Sequence, residues 1–293
     1  MSSSSASPAR SEREFVFTAG DFDCVRKLIY QHAGIALAPG KQEMVYNRLA
    51  RRLRARGLLR FTDYLKILEA GDADEWEAFI NSLTTNLTSF FREAHHFPVL
   101  AEHAQRCWRE RRQPLKLWCC AASTGEEPYS MAITLLEAFP SSPPPISILA
   151  TDVDTHVLAK GQHGIYANER VEKLSAERLR RFFLKGSGAN NGAVKVRPEL
   201  QALVTFKRLN LLDPRWAIEG PFDAIMCRNI MIYFDKETQR RILEKFVPLL
   251  RPDGLLFSGH SESLFHAADL FQLRGKTVYE PVPRNPAPAR SPS

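Results

Sequence analysis

The sequence predicts an α/β protein: a small all-helical N-terminal domain, then a Rossmann-like, mostly parallel sheet carrying a small antiparallel β subdomain as an insert. Three observations predict it. Between residues 15 and 90 apolar residues recur at three- and four-residue spacing, with no strand pattern. Beyond residue 110, continuous apolar runs alternate with amphipathic ones, as in strands covered on both faces by helices. One stretch, "FFLKGSGANNGAVKVRPELQALVTFKRLNL", interrupts that alternation with three strand-like runs joined by Gly/Asn-rich and Pro-containing turns. A length of 293 residues suits about two domains. We place the helical domain at 15–90, the α/β domain at 91–282 with its insert at about 181–208, and disordered tails at 1–14 and 283–293.

Four helices are expected first. "DCVRKLIYQHAGI" and "KQEMVYNRLARRLRARG" carry apolar stripes closed by glycines, and "FTDYLKILEAG" and "DEWEAFINSLTTN" add two shorter helices. In the second helix Met44, Val45, Leu49 and Leu53 form one stripe. Arg48, Arg52 and Arg56 form another at i, i+4 spacing, with Arg51 and Arg54 beside it. Then "LKLWCCAA" reads as a buried strand and "EPYSMAITLLEAF" as a helix with proline in its first turn, where a missing N–H costs little. "ISILATD" is a second strand and "THVLAKGQHGIY" starts a helix. After the insert come the strand "GPFDAIMCRN", the helix "KETQRRILEKFVPLL", the turn "RPDG", the strand "LLFSGH" and a last strand "KTVYEPV".

Composition narrows the function classes. Hydrophobic residues at 44% and charged residues at 25% are the balance of a globular protein with ample core material. No apolar run is long enough to span a bilayer, and "MSSSSASPARSERE" has no apolar core of a signal peptide. Five cysteines without metal-ligand spacing fit a reducing cytoplasm, and no metal site is expected. Cys119 and Cys120 sit in an apolar run and are expected in the core. The net charge of +7 implies an acidic partner, either nucleic acid or an acidic protein surface.

Ligands of open α/β sheets bind outside the carboxyl ends of the strands, so the residues following each strand carry the functional information. "STGEEP" follows the first strand. It has one glycine, Gly125, where a dinucleotide fold wants several, and two acids that would repel a pyrophosphate. A ligand with a positive end and no phosphate suits Glu126 and Glu127, and S-adenosylmethionine is such a ligand. Favouring the positive end of the next helix dipole is their other reading. "TDVDT" follows the second strand. Asp152 is placed to accept ribose hydroxyls, while Asp154 is placed to cap the next helix. "LNLLD" brings Asn210 where an amide can meet an adenine edge. "CRNIMIYF" ends an apolar strand on polar Arg228 and Asn229.

These segments, with "INSLTTNLTSFFREAHHFPVL" and "TVYE", closely resemble the CheR family, the bacterial chemotaxis receptor methyltransferases, in order over about residues 20–281. The resemblance implies transfer of a methyl group from S-adenosylmethionine to glutamate side chains of a chemoreceptor, giving methyl esters and S-adenosylhomocysteine. It places cofactor contacts at Asn86, Thr88, Arg92, Glu127, Asp152, Asn210, Leu211, Arg228 and Asn229. It places Arg92 beside the transferred methyl and makes Tyr233 the active-site tyrosine. Phe90 and Phe91 are then packing residues at the joint after the helical domain, and His95 and His96 open the next helix. A glutamate is already anionic at neutral pH, with a reference pKa of about 4.3, so no general base is needed.

The implied partners are chemoreceptors, met in the cytoplasm by a monomer without membrane insertion or nucleic-acid binding. The arginine stripe of Arg48, Arg51, Arg52, Arg54 and Arg56 is the expected complement to an acidic helical methylation region, and a solvated helix face is the plain alternative. Gly186, Gly188 and Gly192 in "GSGANNG" resemble the β subdomain of members that capture a receptor's C-terminal tail peptide as an added strand, although a hairpin turn also explains them. Two rivals are carried: a nucleic-acid methyltransferase, which would want a proline pair where this chain reads "RNIMIY", and a non-catalytic S-adenosylmethionine-binding regulator.

Overall fold

The computed structural model describes residues 13–283. The tails expected at 1–14 and 283–293 lie outside those residues apart from Arg13, Glu14 and Pro283. The chain divides into two compact units. One is built from the residues up to Gln31 with Leu37–Leu83, the other from His32–Ala36 with the residues from Thr84 onward.

The first unit is helical, with α1 (Ala19–Ala33, whose last two residues count with the second unit), α2 (Gln42–Arg56), α3 (Phe61–Glu69) and α4 (Ala73–Leu83). Thr18 and Asp21 open α1 reciprocally: Asp21 Oδ2 accepts from Thr18 N, and Thr18 Oγ1 accepts from Asp21 N. α2 stops at Gly57, which has φ 64°, and Leu58 N reaches back to Leu53 O as in a Schellman closure. Val25, Ile29, Val45, Leu49, Leu53, Tyr64 and Phe79 are fully enclosed. Met44, expected in that stripe, is only half-buried, and Tyr46 takes the inner position.

The unit ends at Leu83, seven residues before the expected boundary. The reason is the packing of Phe90, which is buried in the core of the second unit with its ring 5.0 Å from Tyr166 and 5.5 Å from Phe183.

The second unit runs α5 (His96–Arg111), β1 (Leu115–Cys119), α6 (Glu126–Ala138), β2 (Ile146–Asp152), α7 (Thr155–His163), β3 (Ile165–Ala167), α8 (Asn168–Val171), α9 (Ala176–Phe182), β4 (Phe183–Lys185), β5 (Ala193–Val196), α10 (Pro198–Gln201), β6 (Val204–Arg208), β7 (Phe222–Cys227), α11 (Lys236–Phe246), β8 (Leu250–Ser258), β9 (Phe271–Gly275) and β10 (Val278–Pro281). Its main sheet has the order β6-β2-β1-β7-β8-β10-β9. The first five strands are parallel neighbours, and β10 runs antiparallel to both β8 and β9. Alternate residues of β1 and the loop after it serve opposite faces: Leu117 and Cys119 join one apolar cluster, Trp118 and Cys120 the other. Both cysteines are core residues, as their apolar run suggests. Because β2, β1, β7 and β8 are parallel and adjacent, the residues after Asp152, Cys119, Cys227 and Ser258 emerge along one edge.

Three expectations need correction. The small antiparallel sheet is β3-β5-β4. Its third strand is Ile165–Ala167, which the sequence reading left in a helix. Val204–Arg208, assigned to the insert, instead pairs in parallel with β2. As the outer strand of the main sheet β6 is largely exposed, so it lacks the continuous apolar run of the inner parallel strands. The "RPDG" segment is the irregular start of β8 rather than a turn, and β9 was not anticipated because four of its five residues are exposed.

Candidate active site

Asp152 ends β2 and is nine-tenths buried. Its Oδ2 accepts from Ser123 N at 2.9 Å and its Oδ1 from Asp154 N at 3.0 Å. Burial pushes its carboxyl up to about 6, against the pull of those backbone donors. Asp154 caps α7, accepting from His156 N and Val157 N. Its other oxygen takes Thr84 Oγ1 at 2.7 Å and Asn86 Nδ2 at 2.9 Å. The Asn86 amide is thus oriented by a helix cap.

Geometry separates the two adjacent glutamates after β1. Glu126 is fully enclosed, pairs with Arg170 of α8, and takes Thr124 Oγ1 at 2.6 Å. Glu127 turns toward the strand ends, accepting from Arg228 Nη1 at 2.9 Å and from the Cys119 thiol at 3.3 Å. Burial raises the Glu127 carboxyl, opposed chiefly by the Arg228 charge.

Arg228 follows β7, and its side chain is wholly buried. One guanidinium nitrogen holds Glu127. Another donates to Arg92 O and lies 3.5 Å from Glu93 Oε2. Both terminal guanidinium nitrogens are engaged by protein while Nε has no hydrogen-bond partner, so Arg228 offers a cofactor chiefly its main chain and the fixed position of Glu127. Asn229 follows in left-handed conformation, φ 57°, with Nδ2 donating to Glu93 Oε1 at 3.2 Å. Burial alone would raise the Glu93 carboxyl, yet hydrogen bonds from His260 and Asn229 and the Arg228 charge bring it down to about 2.

The Asn86–Arg92 segment is anchored within this unit. Phe91 N donates to Ser130 Oγ at 2.9 Å, Thr88 O accepts from Arg170, and Arg178 lies 4.0 Å over the Phe91 ring. Phe91 and Glu93, on either side of Arg92, both have positive φ (53° and 54°). Arg92 donates to Leu87 O at 2.8 Å, and its charge is felt by Glu127. Leu211 is buried beyond β6. The Asn210 amide is spent on protein, donating to His32 O at 2.6 Å and accepting from Leu212 N at 3.0 Å. Tyr233 lies in a single 3₁₀ turn, Met231–Tyr233, half-buried, its carbonyl accepting from Ala36 N at 3.1 Å.

His95 and His96 stand at the start of α5. His96 is fully enclosed, with Nε2 3.0 Å from Thr277 Oγ1, and burial lowers it to about 4. Glu93, His95 and His96 bring potential metal-ligating atoms within 4.8 Å of one another. The Arg228 guanidinium, 3.5 Å from Glu93 Oε2, already supplies a positive charge there and disfavours a cation.

The arginines of α2 are not one face of free cations. Arg52 grips Glu75 with two nitrogens at 2.9 and 2.8 Å, and Arg56 bonds Glu75 and Asp72, each at 2.6 Å. Arg48 donates to Leu83 O at 3.0 Å, and Arg54 pairs with half-exposed Glu14. Arg51 is exposed. The three glycines shape the β4–β5 hairpin. Gly188 and Gly192 have positive φ, and a Cβ on Gly186 would lie 2.0 Å from Asn190 O.

Sequence reasoning missed Glu93, Arg170 and Glu262. Glu93 and Arg170 carry no signal, being charged residues in polar segments. Glu262 had one: it follows the strand "LLFSG" at the same edge as the other candidates.

Acceptor carboxylates at the ends of β1 and β2, without a glycine-rich phosphate loop, fit the ammonium, sulfonium and ribose diol of S-adenosylmethionine. The fold and site define an S-adenosylmethionine-dependent methyltransferase. Residues 86–280 match the family model described as the SAM-binding domain of CheR methyltransferase, and residues 20–84 match its all-alpha domain. The chain is 54% identical over 259 residues to the chemotaxis protein methyltransferase of Escherichia coli, covering 88% of this chain and 89% of that one. It is 56% identical over 259 residues to the Salmonella typhimurium protein of the same name, covering 88% of each. Against chemotaxis protein methyltransferase 2 of Pseudomonas aeruginosa the identity is 51% over 282 residues, covering 96% of this chain and all of that one. The chain belongs to the CheR methyltransferase family. Among the described residues no helix is long and apolar enough to cross a membrane.

Proposed function

We propose that this methyltransferase esterifies glutamate side chains of chemoreceptors in the cytoplasm, acting as a monomer in chemotactic adaptation. The observation that carries the reading is the identity of 51–56% with chemotaxis protein methyltransferases over 88–96% of the chain, helical unit included. S-adenosylmethionine supplies a methyl group activated on a sulfonium. Glu127 accepts its positive end, and Asp152, already held by Ser123 N, accepts its ribose hydroxyls. Asn86, Thr88, Asn210, Leu211, Arg228 and Asn229 complete the cradle, Arg228 by holding Glu127.

Arg92 and Tyr233 orient the incoming carboxylate. A loose grip suits the chemistry, because two strong hydrogen bonds would blunt the nucleophile. The Leu87 carbonyl already takes part of the Arg92 fork. Charge is neutralised during the transfer, so apolar walls help; Phe91 and exposed Ile232 are suited to that part. The transfer needs no general base, so His95 and His96 take no part in it.

For receptor docking, Arg51, Arg54 and Arg56 are the exposed members of the α2 stripe, with Arg54 paired to Glu14 and Arg56 to Asp72 and Glu75, while Arg48 and Arg52 serve the helical unit itself. Capture of a tail peptide is supported by β4 being an edge strand with Leu184 exposed, and by Arg180, Arg181 and Arg197 lining a cavity beside it. The test uses methyl-labelled S-adenosylmethionine and a receptor cytoplasmic fragment with and without its C-terminal tail. Base-labile label on the receptor is expected, and greater labelling when the tail is present. Tight cofactor binding without label would move the protein to the regulator class.

A further inference from the structure

We infer that Glu262, with Gly259 beneath it, is a positioning residue for methyl transfer. The inference deepens the proposed function, since it rests on Asn229 and Tyr233 serving that reaction. β7 and β8 are parallel neighbours, with Cys227 paired to Ser258 at their ends. Strand ends leave main-chain N–H groups without ladder partners, and these must be satisfied where water is excluded. Glu262 does this for both strands. Its carboxylate is 5% exposed. Oε2 accepts from Asn229 N at 2.9 Å, from Gly259 N at 2.6 Å and from Ser258 Oγ at 3.2 Å. Oε1 accepts from Ile232 N at 3.3 Å, inside the turn that carries Tyr233.

Gly259 makes the approach possible. A Cβ there would stand 2.5 Å from Asn229 Nδ2, 2.7 Å from Glu262 Oε2 and 2.9 Å from Asn229 N. One carboxylate therefore fixes the left-handed Asn229 and the Met231–Tyr233 turn against a single strand end. Three of its four donors are main-chain N–H groups at or beyond the strand ends, the edge where the site lies, so its geometry sets the loop.

The variants Glu262→Gln, Glu262→Ala and Gly259→Ala test this. S-adenosylhomocysteine titration counts folded sites, so turnover can be expressed per binding site. In Glu262→Gln the amide oxygen can keep the three donors around Oε2, while the NH₂ then faces Ile232 N. Turnover per site should fall about tenfold with KM for S-adenosylmethionine moving less than about threefold, a split that a folding defect does not produce. Glu262→Ala and Gly259→Ala should also weaken S-adenosylhomocysteine affinity by about tenfold or more. Glu262→Gln with wild-type turnover per site overturns the inference. If the wild-type protein itself fails to label receptor, the functional reading fails instead. The inference then stands or falls on whether Gly259→Ala weakens S-adenosylhomocysteine or leaves it unchanged.

Discussion

Two of the buried carboxylates, Glu75 in the helical unit and Glu262 in the sheet unit, act as hubs that are built differently. Glu75 in the helical unit is 1% exposed and is satisfied by side chains: Arg52, Arg56 and the Tyr64 hydroxyl at 2.8 Å. Glu262 in the sheet unit is satisfied mainly by backbone N–H groups. A carboxylate held by long side chains fastens helices together and tolerates adjustment. A carboxylate held by main chain dictates where that main chain lies. The first arrangement makes a fold and the second makes a site.

The largest effect should fall on Arg92. Arg92→Ala is expected to lower turnover by about 10²–10³-fold while S-adenosylhomocysteine affinity and Tm stay close to wild type; near-normal turnover would remove Arg92 from the reaction. Glu75→Ala should do the reverse. We expect a loss of about 2 kcal/mol in urea unfolding, with turnover per folded molecule unchanged. The half-exposed arginines it frees can turn to water, which holds the loss below that of a fully buried pair. A drop in turnover per folded site would break the contrast between the hubs.

Acid should separate Glu75 from Asp152 by sign. Burial alone would raise the Glu75 carboxyl, but the hydrogen bonds from Arg52, Arg56 and Tyr64 leave it depressed. Its stabilisation is present above the unfolded value of 4.5 and is lost as pH falls through the folded value. Asp152 is raised to about 6, so without ligand its contribution to stability improves as pH falls from about 6 toward the ordinary value of 3.8. Its ionised form is the one that accepts ribose hydroxyls. Cofactor affinity should therefore be flat above about pH 7 and weaken by up to about tenfold per pH unit below about 6. Calorimetry on the wild-type protein and Asp152→Asn checks this, and an unchanged profile in the variant would transfer the dependence elsewhere. The smallest effect is on docking. Raising salt, or Arg51→Ala, should slow receptor methylation by a few-fold, mainly through association rate, with no change in cofactor affinity.

Much of this was legible in the sequence because buried strands and amphipathic helices have unambiguous periods. The acids after β1 and β2 announce themselves by standing at the ends of apolar runs. Which of Glu126 and Glu127 faces the site is settled by Arg170 and Arg228, 44 and 101 residues away, and no local pattern encodes that. The stripe Arg48–Arg52–Arg56 read as a docking face because the spacing reports direction and not partners; Glu75 and Leu83 O lie on another helix. Exposed edge strands such as β6 and β9 were misassigned or missed because half of their signal faces water.

Arg92 sits between two residues whose backbone lies where L-amino acids rarely go, Phe91 and Glu93. Each such residue costs on the order of 1 kcal/mol or more. Glycine at either position would relieve that cost. At 93 it would also remove the carboxylate that aligns Arg228 and Asn229, and at 91 the ring beneath Arg178. For anyone redesigning this protein, the segment is a trap. A search guided by backbone conformation alone will propose glycines here, and the enzymes it returns will be both less stable and slower, because the side chains removed are worth more than the strain relieved.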